Sequence, residues 1–190
     1  MVSRRERRLW LLSLLGLPAL LAGNYAIGAW RNVEDYVRRS ELRVHDDIAG
    51  QAYAGAVWTL AQARLIGDGR EAKITFPGQM RLVIVRLAAK AEDEIGDSWT
   101  QCRLTLTDPG GHRWLPLNFI LSGNISRDLD PQATPVDGCD AVSRQPPAKG
   151  ADTLIEEKFV VPADAIPSLS VRLSFASTRP DALSLPLGLK

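Results

Sequence analysis

The run Leu9–Trp30, LWLLSLLGLPALLAGNYAIGAW, carries no charged residue and is apolar over nearly its whole length. As a helix rising about 1.5 Å per residue it spans about 30 Å, the thickness of a hydrocarbon core. A chain with this segment is built for a membrane or for export through one. Everything after residue 30 is read from that constraint.

Trp10 and Trp30 stand at the two ends of the run. An indole ring is apolar while its N–H seeks water, so tryptophan settles where bilayer meets solvent. Their separation predicts a retained transmembrane helix over residues 9–30, a signal anchor with Trp10 and Trp30 at its membrane interfaces. Arg4, Arg5, Arg7 and Arg8 precede the run, whereas the arginines after Trp30 are diluted by Glu34, Asp35 and Glu41. A short basic segment ahead of a first apolar run stays in the cytoplasm, so residues 1–8 are expected inside and residues 31–190 outside. The competing expectation is a cleavable signal peptide cut near Ala26-Ile27-Gly28. Both routes deliver the same domain to the same side. The first cysteine is Cys102, far beyond the run, which argues against a lipoprotein.

Lys and Arg total 23 against 22 Asp and Glu, a formal charge of +1. No broad basic surface follows, and nucleic acid is not an expected partner. Cys102 and Cys139 both fall in the exported part, where thiols are oxidised, and are expected to form one disulfide. A metal site lacks ligands, because His45 and His112 are the sole histidines and neither stands at ligand spacing from a cysteine. No cofactor is expected.

Residues 31–50 read as a stalk or helical linker, with Val33, Tyr36 and Val37 at helical spacing. From residue 51 the pattern acquires period two, the signature of strands with one buried face. Cys102, Leu104 and Leu106 alternate with Arg103, Thr105 and Thr107, and Leu169, Val171, Leu173 and Phe175 alternate with Ser170, Arg172 and Ser174. Leu82 to Val85 is apolar on both faces, as in a central strand or one that another element covers. Leu183, Leu185 and Leu187 form a short strand whose Pro186 marks an edge. Asp108-Pro109-Gly110-Gly111 supplies a hairpin turn. Strands are expected over 53–66, 81–91, 101–107, 113–117, 154–161, 169–175 and 183–187. About seven short strands with turn signals predict an all-β sandwich over residues 51–190. One long loop, 122–150, interrupts it and is tethered through Cys139.

Three stretches together resemble the immunoglobulin-like accessory domain of bacterial surface and membrane-anchored proteins: Met80–Lys90, Cys102–Trp114 with its turn, and Glu157–Ala165 followed by Leu169–Phe175. With the closing strand they cover about Tyr53 to Leu187; the cysteine-bearing loop departs from the simpler members. The resemblance implies an immunoglobulin-like β-sandwich outside the cytoplasm and brings no catalytic residues.

Asp128, Asp130, Asp137 and Asp140 cluster in the long loop, as carboxylates of a Ca²⁺ site do, but the glycine-punctuated pattern of a Ca²⁺ loop is absent. Gly96-Asp97-Ser98 lacks the glycine-flanked elbow of a serine nucleophile, and reads as a turn rather than a hydrolase site served by His45 or His112. Trp58, Trp99 and Trp114 are core aromatics or, alternatively, a partner surface. Asn124-Ile125-Ser126 matches a glycosylation sequon, a short pattern in a chain that reads as bacterial. The expected function is non-enzymatic: a single-pass protein with a periplasmic or extracellular domain that binds another envelope or membrane protein, as an accessory subunit. The alternatives are a small-ligand or ion-sensing module and, far behind, an exported hydrolase.

Overall fold

The computed structural model describes residues 4–46, 51–66, 76, 78–129 and 135–189. It divides into two units, residues 1–40 and residues 41–190.

The first unit is one helix, α1 (Arg4–Arg39), continuous through Pro18. It is long and apolar enough to cross a membrane, and none of its residues is buried by protein. Leu9 to Trp30 thus presents apolar side chains on every side, as a lipid-facing helix does. Trp10 and Trp30 are both exposed along it. Past Trp30 the helix continues for about two and a half charged turns where Glu34 pairs with Arg38 four residues on, and Arg38 and Arg39 suit the negative end of the helix dipole.

The second unit is built on β1 (Arg43–Asp46), β2 (Gln51–Tyr53), β3 (Ala56–Leu65), β4 (Met80–Ala91), β5 (Arg103–Thr107), β6 (Arg113–Trp114), β7 (Asp152–Pro162), β8 (Ser170–Ser174) and β9 (Asp181–Pro186). Two helices, α2 (Phe119–Leu129) and α3 (Cys139–Arg144), lie between β6 and β7. One sheet has the order β1-β9-β8-β5-β6 and the other β2-β3-β4-β7. The alternation that marks the strands in sequence sets their faces: Leu104, Leu106, Val171, Leu173, Leu183 and Leu185 turn inward against Val83, Val85, Leu87, Ile155, Phe159 and Val161. Burying each such side chain contributes about 1.5 to 3 kcal/mol, which is why period two decides the register.

Every strand expected from the sequence is present, and the structure adds β1 and β2. The described fold is therefore nine strands with two further helices rather than an all-β sandwich of about seven. β1 lies inside the stretch expected as a stalk and pairs in parallel with β9, Arg43 opposite Asp181 and Asp46 opposite Ser184. That pairing moves β9 off the edge position that Pro186 suggested. Pro186 lies beyond the last residue paired with β1, so its missing N–H costs nothing on that side.

The loop expected over 122–150 is largely helical where it is described. α2 lays Ile125 on Leu82 and Ile84 of the outer face of β4, with Leu117, Leu129 and Val160 around them. This second apolar cluster accounts for the two-faced run Leu82 to Val85: one face meets the sandwich interior, the other α2.

Candidate interaction surface and polar groove

The disulfide Cys102–Cys139 is formed, and it ties α3 to the segment entering β5. The N–H of Cys139, in the first turn of α3, donates to Glu157 Oε1 at 2.8 Å, so a carboxylate caps the positive end of that helix. Burial pushes the Glu157 carboxyl up, against the lowering effect of that hydrogen bond.

Trp58 and Trp99 are fully buried, which takes both off any partner surface. They pack with Phe175 in one aromatic cluster, the Trp99 and Phe175 rings stacked at 5.5 Å and 12°. Trp114 is half-buried at the end of short β6, with the His112 ring 6.1 Å away. Of the four loop aspartates, Asp130 lies outside the described residues, and Asp137 and Asp140 flank the start of α3. Among the described residues no three His, Cys, Asp or Glu side chains converge on a point that could hold a metal. Ser98 sits in the 3-10 turn Gly96–Trp99, where its carbonyl accepts from Ser177. His45 binds Asp181 at 3.0 Å and His112 binds Asp108 at 2.9 Å, so each imidazole is engaged with a carboxylate of its own. The His112 hydrogen bond in turn holds the Asp108 carboxyl below the ordinary carboxylate range.

Two surfaces of the second unit stand out, and neither was singled out by sequence reasoning. The first is apolar. Leu115, Phe119, Ile120 and Leu121 are 71%, 85%, 60% and 40% exposed. They occupy the segment that leaves β6 and the first turn of α2, while the far end of the same helix is buried through Ile125. A helical stripe was available in the sequence, since Leu121, Ile125 and Leu129 recur four apart. Phe119 and Ile120 stand off that stripe, and exposed apolar groups grouped in this way mark contact sites.

The second is the outer face of the five-stranded sheet, which is polar yet covered. Thr105, Thr107, Ser174 and Ser184 are all buried there. At one end Glu41, 6% exposed, accepts from Arg113 Nη1 at 3.0 Å and from the Ser174 hydroxyl, with Arg103 4.0 Å away. At the other end a groove of about 670 Å³ opens over Thr107, Ser170, Arg172 and Ser184, with Asp46 at its rim.

On the opposite sheet the outer face carries a different device. Glu156 accepts from Arg86 Nε at 2.6 Å and Lys158 Nζ at 2.5 Å, and Lys158 also reaches Ser122 of α2. Burial raises the Glu156 carboxyl, but the hydrogen bonds and charges of Lys158 and Arg86 outweigh it and the net shift is downward.

No family model and no curated protein matches the chain. A solved structure, that of a conserved hypothetical protein from Bacillus anthracis, superposes with a TM-score of 0.42 at 6% sequence identity, over 73% of this chain and 94% of that one.

Proposed function

We propose that this chain is a single-pass membrane protein, N-terminus in the cytoplasm, whose extracytoplasmic immunoglobulin-like domain binds another envelope or membrane protein as an accessory subunit. The observation that carries the reading is the uncovered group Leu115, Phe119, Ile120 and Leu121 on a domain whose other large apolar side chains are mostly packed away. Aromatic and aliphatic anchors of this kind supply most of the energy of protein interfaces. The helix Arg4–Arg39 and the Cys102–Cys139 bridge support an anchored domain in an oxidising compartment. The immunoglobulin-like assignment is supported by strand order. β4 beside β7 in one sheet, and β5, β8 and β9 side by side in the other, match the B–E and C–F–G neighbours of such sandwiches. Two departures are plain: helices fill the space between β6 and β7, and the disulfide joins β5 to α3 rather than sheet to sheet.

The test is a mild-detergent purification of the tagged full chain at native expression, beside its Phe119→Ser/Ile120→Ser variant. A membrane or envelope protein recovered in constant ratio with the wild type and lost from the variant is the expected result. A variant that keeps the same companion, or a wild type that retains none, overturns the reading.

A further inference from the structure

Among the described residues, two buried side-chain polar atoms lack a hydrogen-bond partner: Thr105 Oγ1 and Arg172 Nε. They are not scattered. Thr105 and Arg172 are register partners on β5 and β8, Arg172 is the partner of Ser184 on β9, and Ser184 of Asp46 on β1. One row of polar side chains therefore crosses four strands, and all but Thr105 line the groove over the five-stranded sheet. Leaving a buried donor unmade is costly, and two neighbouring ones in native proteins call for an acceptor.

The carboxylate that the fold supplies to this face gives neither atom a hydrogen bond. Glu41 is committed to Arg113 and Ser174 at the other end of the sheet. Burial, and after it the nearby charge of Arg113, lowers the Arg172 pKa, while Glu41 and Asp46 act the other way through space. A ligand oxyanion seated at Arg172 would relieve that repulsion and give the guanidinium a partner. Asp46 at the rim and Asp108, which also lines the groove, require that the rest of the ligand offer donors, because a bare anion would meet carboxylates there.

We propose that this groove binds a small organic anion, a carboxylate or a phosphate monoester, whose oxyanion is held by Arg172, above its register partner Thr105, and whose other groups donate hydrogen bonds, as the hydroxyls of a sugar acid or sugar phosphate do. The site is separate from the apolar surface on α2 and does not depend on it.

The full chain in detergent is titrated with D-glucuronate, with glucose 6-phosphate, and with glucose as the uncharged control, at constant ionic strength, following Tm. At least one charged sugar raises Tm saturably and glucose does not. The responding sugar tells carboxylate from phosphate. Arg172→Met is expected to weaken that binding about tenfold or more, and Thr105→Val, at the register partner behind it, by less. The same Thr105→Val change is expected to raise Tm without ligand, because it deletes an unpaired buried hydroxyl and keeps the shape. Opposite signs for stability and binding separate a ligand site from a structural hydroxyl. The proposal is overturned if neither charged sugar moves Tm, or if Thr105→Val lowers Tm, the mark of a hydroxyl already satisfied by an ordered water.

Discussion

Trp58 and Trp99 lie with ring centroids 4.9 Å apart and donate their indole N–H groups to consecutive carbonyls, Trp58 to Tyr53 and Trp99 to Ala54, both at 2.9 Å. The two largest side chains of the core thereby pin one turn, at which Ala54 and Gly55 both take positive φ. Tyr53 joins them, its hydroxyl bound to Thr178 and to the Asp181 carbonyl, and burial pushes its pKa up to about 12. Packing, turn geometry and the start of β9 are thus tied at one end of the sandwich. Trp99→Ala is expected to destabilise the domain by about 3 to 5 kcal/mol, and Trp99→Phe, which keeps most of the ring but drops the donor, by about 1 to 3 kcal/mol. Chemical denaturation followed by tryptophan fluorescence reads both; a Trp99→Phe variant as stable as the wild type would show that the hydrogen bond contributes nothing.

Breaking the buried group on the opposite sheet should depend on which member is removed. Glu156→Gln leaves Lys158 buried beside Arg86 without its counter-charge, and a loss of about 3 to 5 kcal/mol is expected. Replacing all three by apolar residues of similar volume is expected to cost far less. Denaturation midpoints of the two proteins, measured side by side, decide it.

Glu156 and Glu157 are adjacent in sequence and opposite in their response to pH. The folded pKa of Glu156 lies below its ordinary value of 4.5, so its contribution is present above that value and lost as pH falls through the folded pKa. The folded pKa of Glu157 lies above 4.5, so the protonated form favours folding, and stability is lost as pH rises through the folded pKa. Glu157→Gln keeps an acceptor for the Cys139 N–H and removes the buried charge. Its midpoint should exceed wild type at neutral pH and converge with it well below the ordinary carboxylate pKa. A difference that does not vary with pH would refute this.

Cys102→Ser should cost about 3 to 4 kcal/mol in the chain-entropy account, for a bridge closing a sequence separation of 37. It should also free the Cys139 thiol, which thiol titration of the unfolded variant counts directly. Because Ser143 of α3 accepts from the Cys102 N–H and donates to the Trp99 carbonyl, α3 should stay docked in the variant. Proteolysis near residues 135–145 no faster than in the wild type would bear this out.

Much of this architecture was legible because it rests on pattern. The run Leu9–Trp30 needs only composition, and β5 and β8 announce themselves by strict alternation of Leu and Val with Arg, Ser and Thr. The two cysteines needed only a compartment. What could not be read was what covers a face. Thr105 and Ser184 look like the wet side of a strand, and only the assembled sheet buries them. α2 was hidden because its stripe of Leu121, Ile125 and Leu129 is diluted by Ser122, Gly123 and Asn124, residues that favour turns. β1 carries no alternation at all, and its partner begins at Asp181, so no local window contains the pairing that makes it a strand. The sequence leaves Trp58, Trp99 and Trp114 open between core and surface, because which of them faces inward is a matter of register.

The parallel strand β1 also decides how this domain can be cut free. A piece begun at residue 51, where periodic sequence starts, would lack β1 and Glu41 together. The bare flank of β9 from Asp181 to Ser184 would then offer unpaired N–H and C=O groups to any second molecule, and Arg113 would lose its buried counter-charge. Such a fragment is expected to associate with itself through that flank, in a concentration-dependent way visible by light scattering. A piece begun at Ser40 is expected to stay monomeric. The few residues that follow α1 thus act as a guard strand: they keep one copy of the protein from zipping onto another.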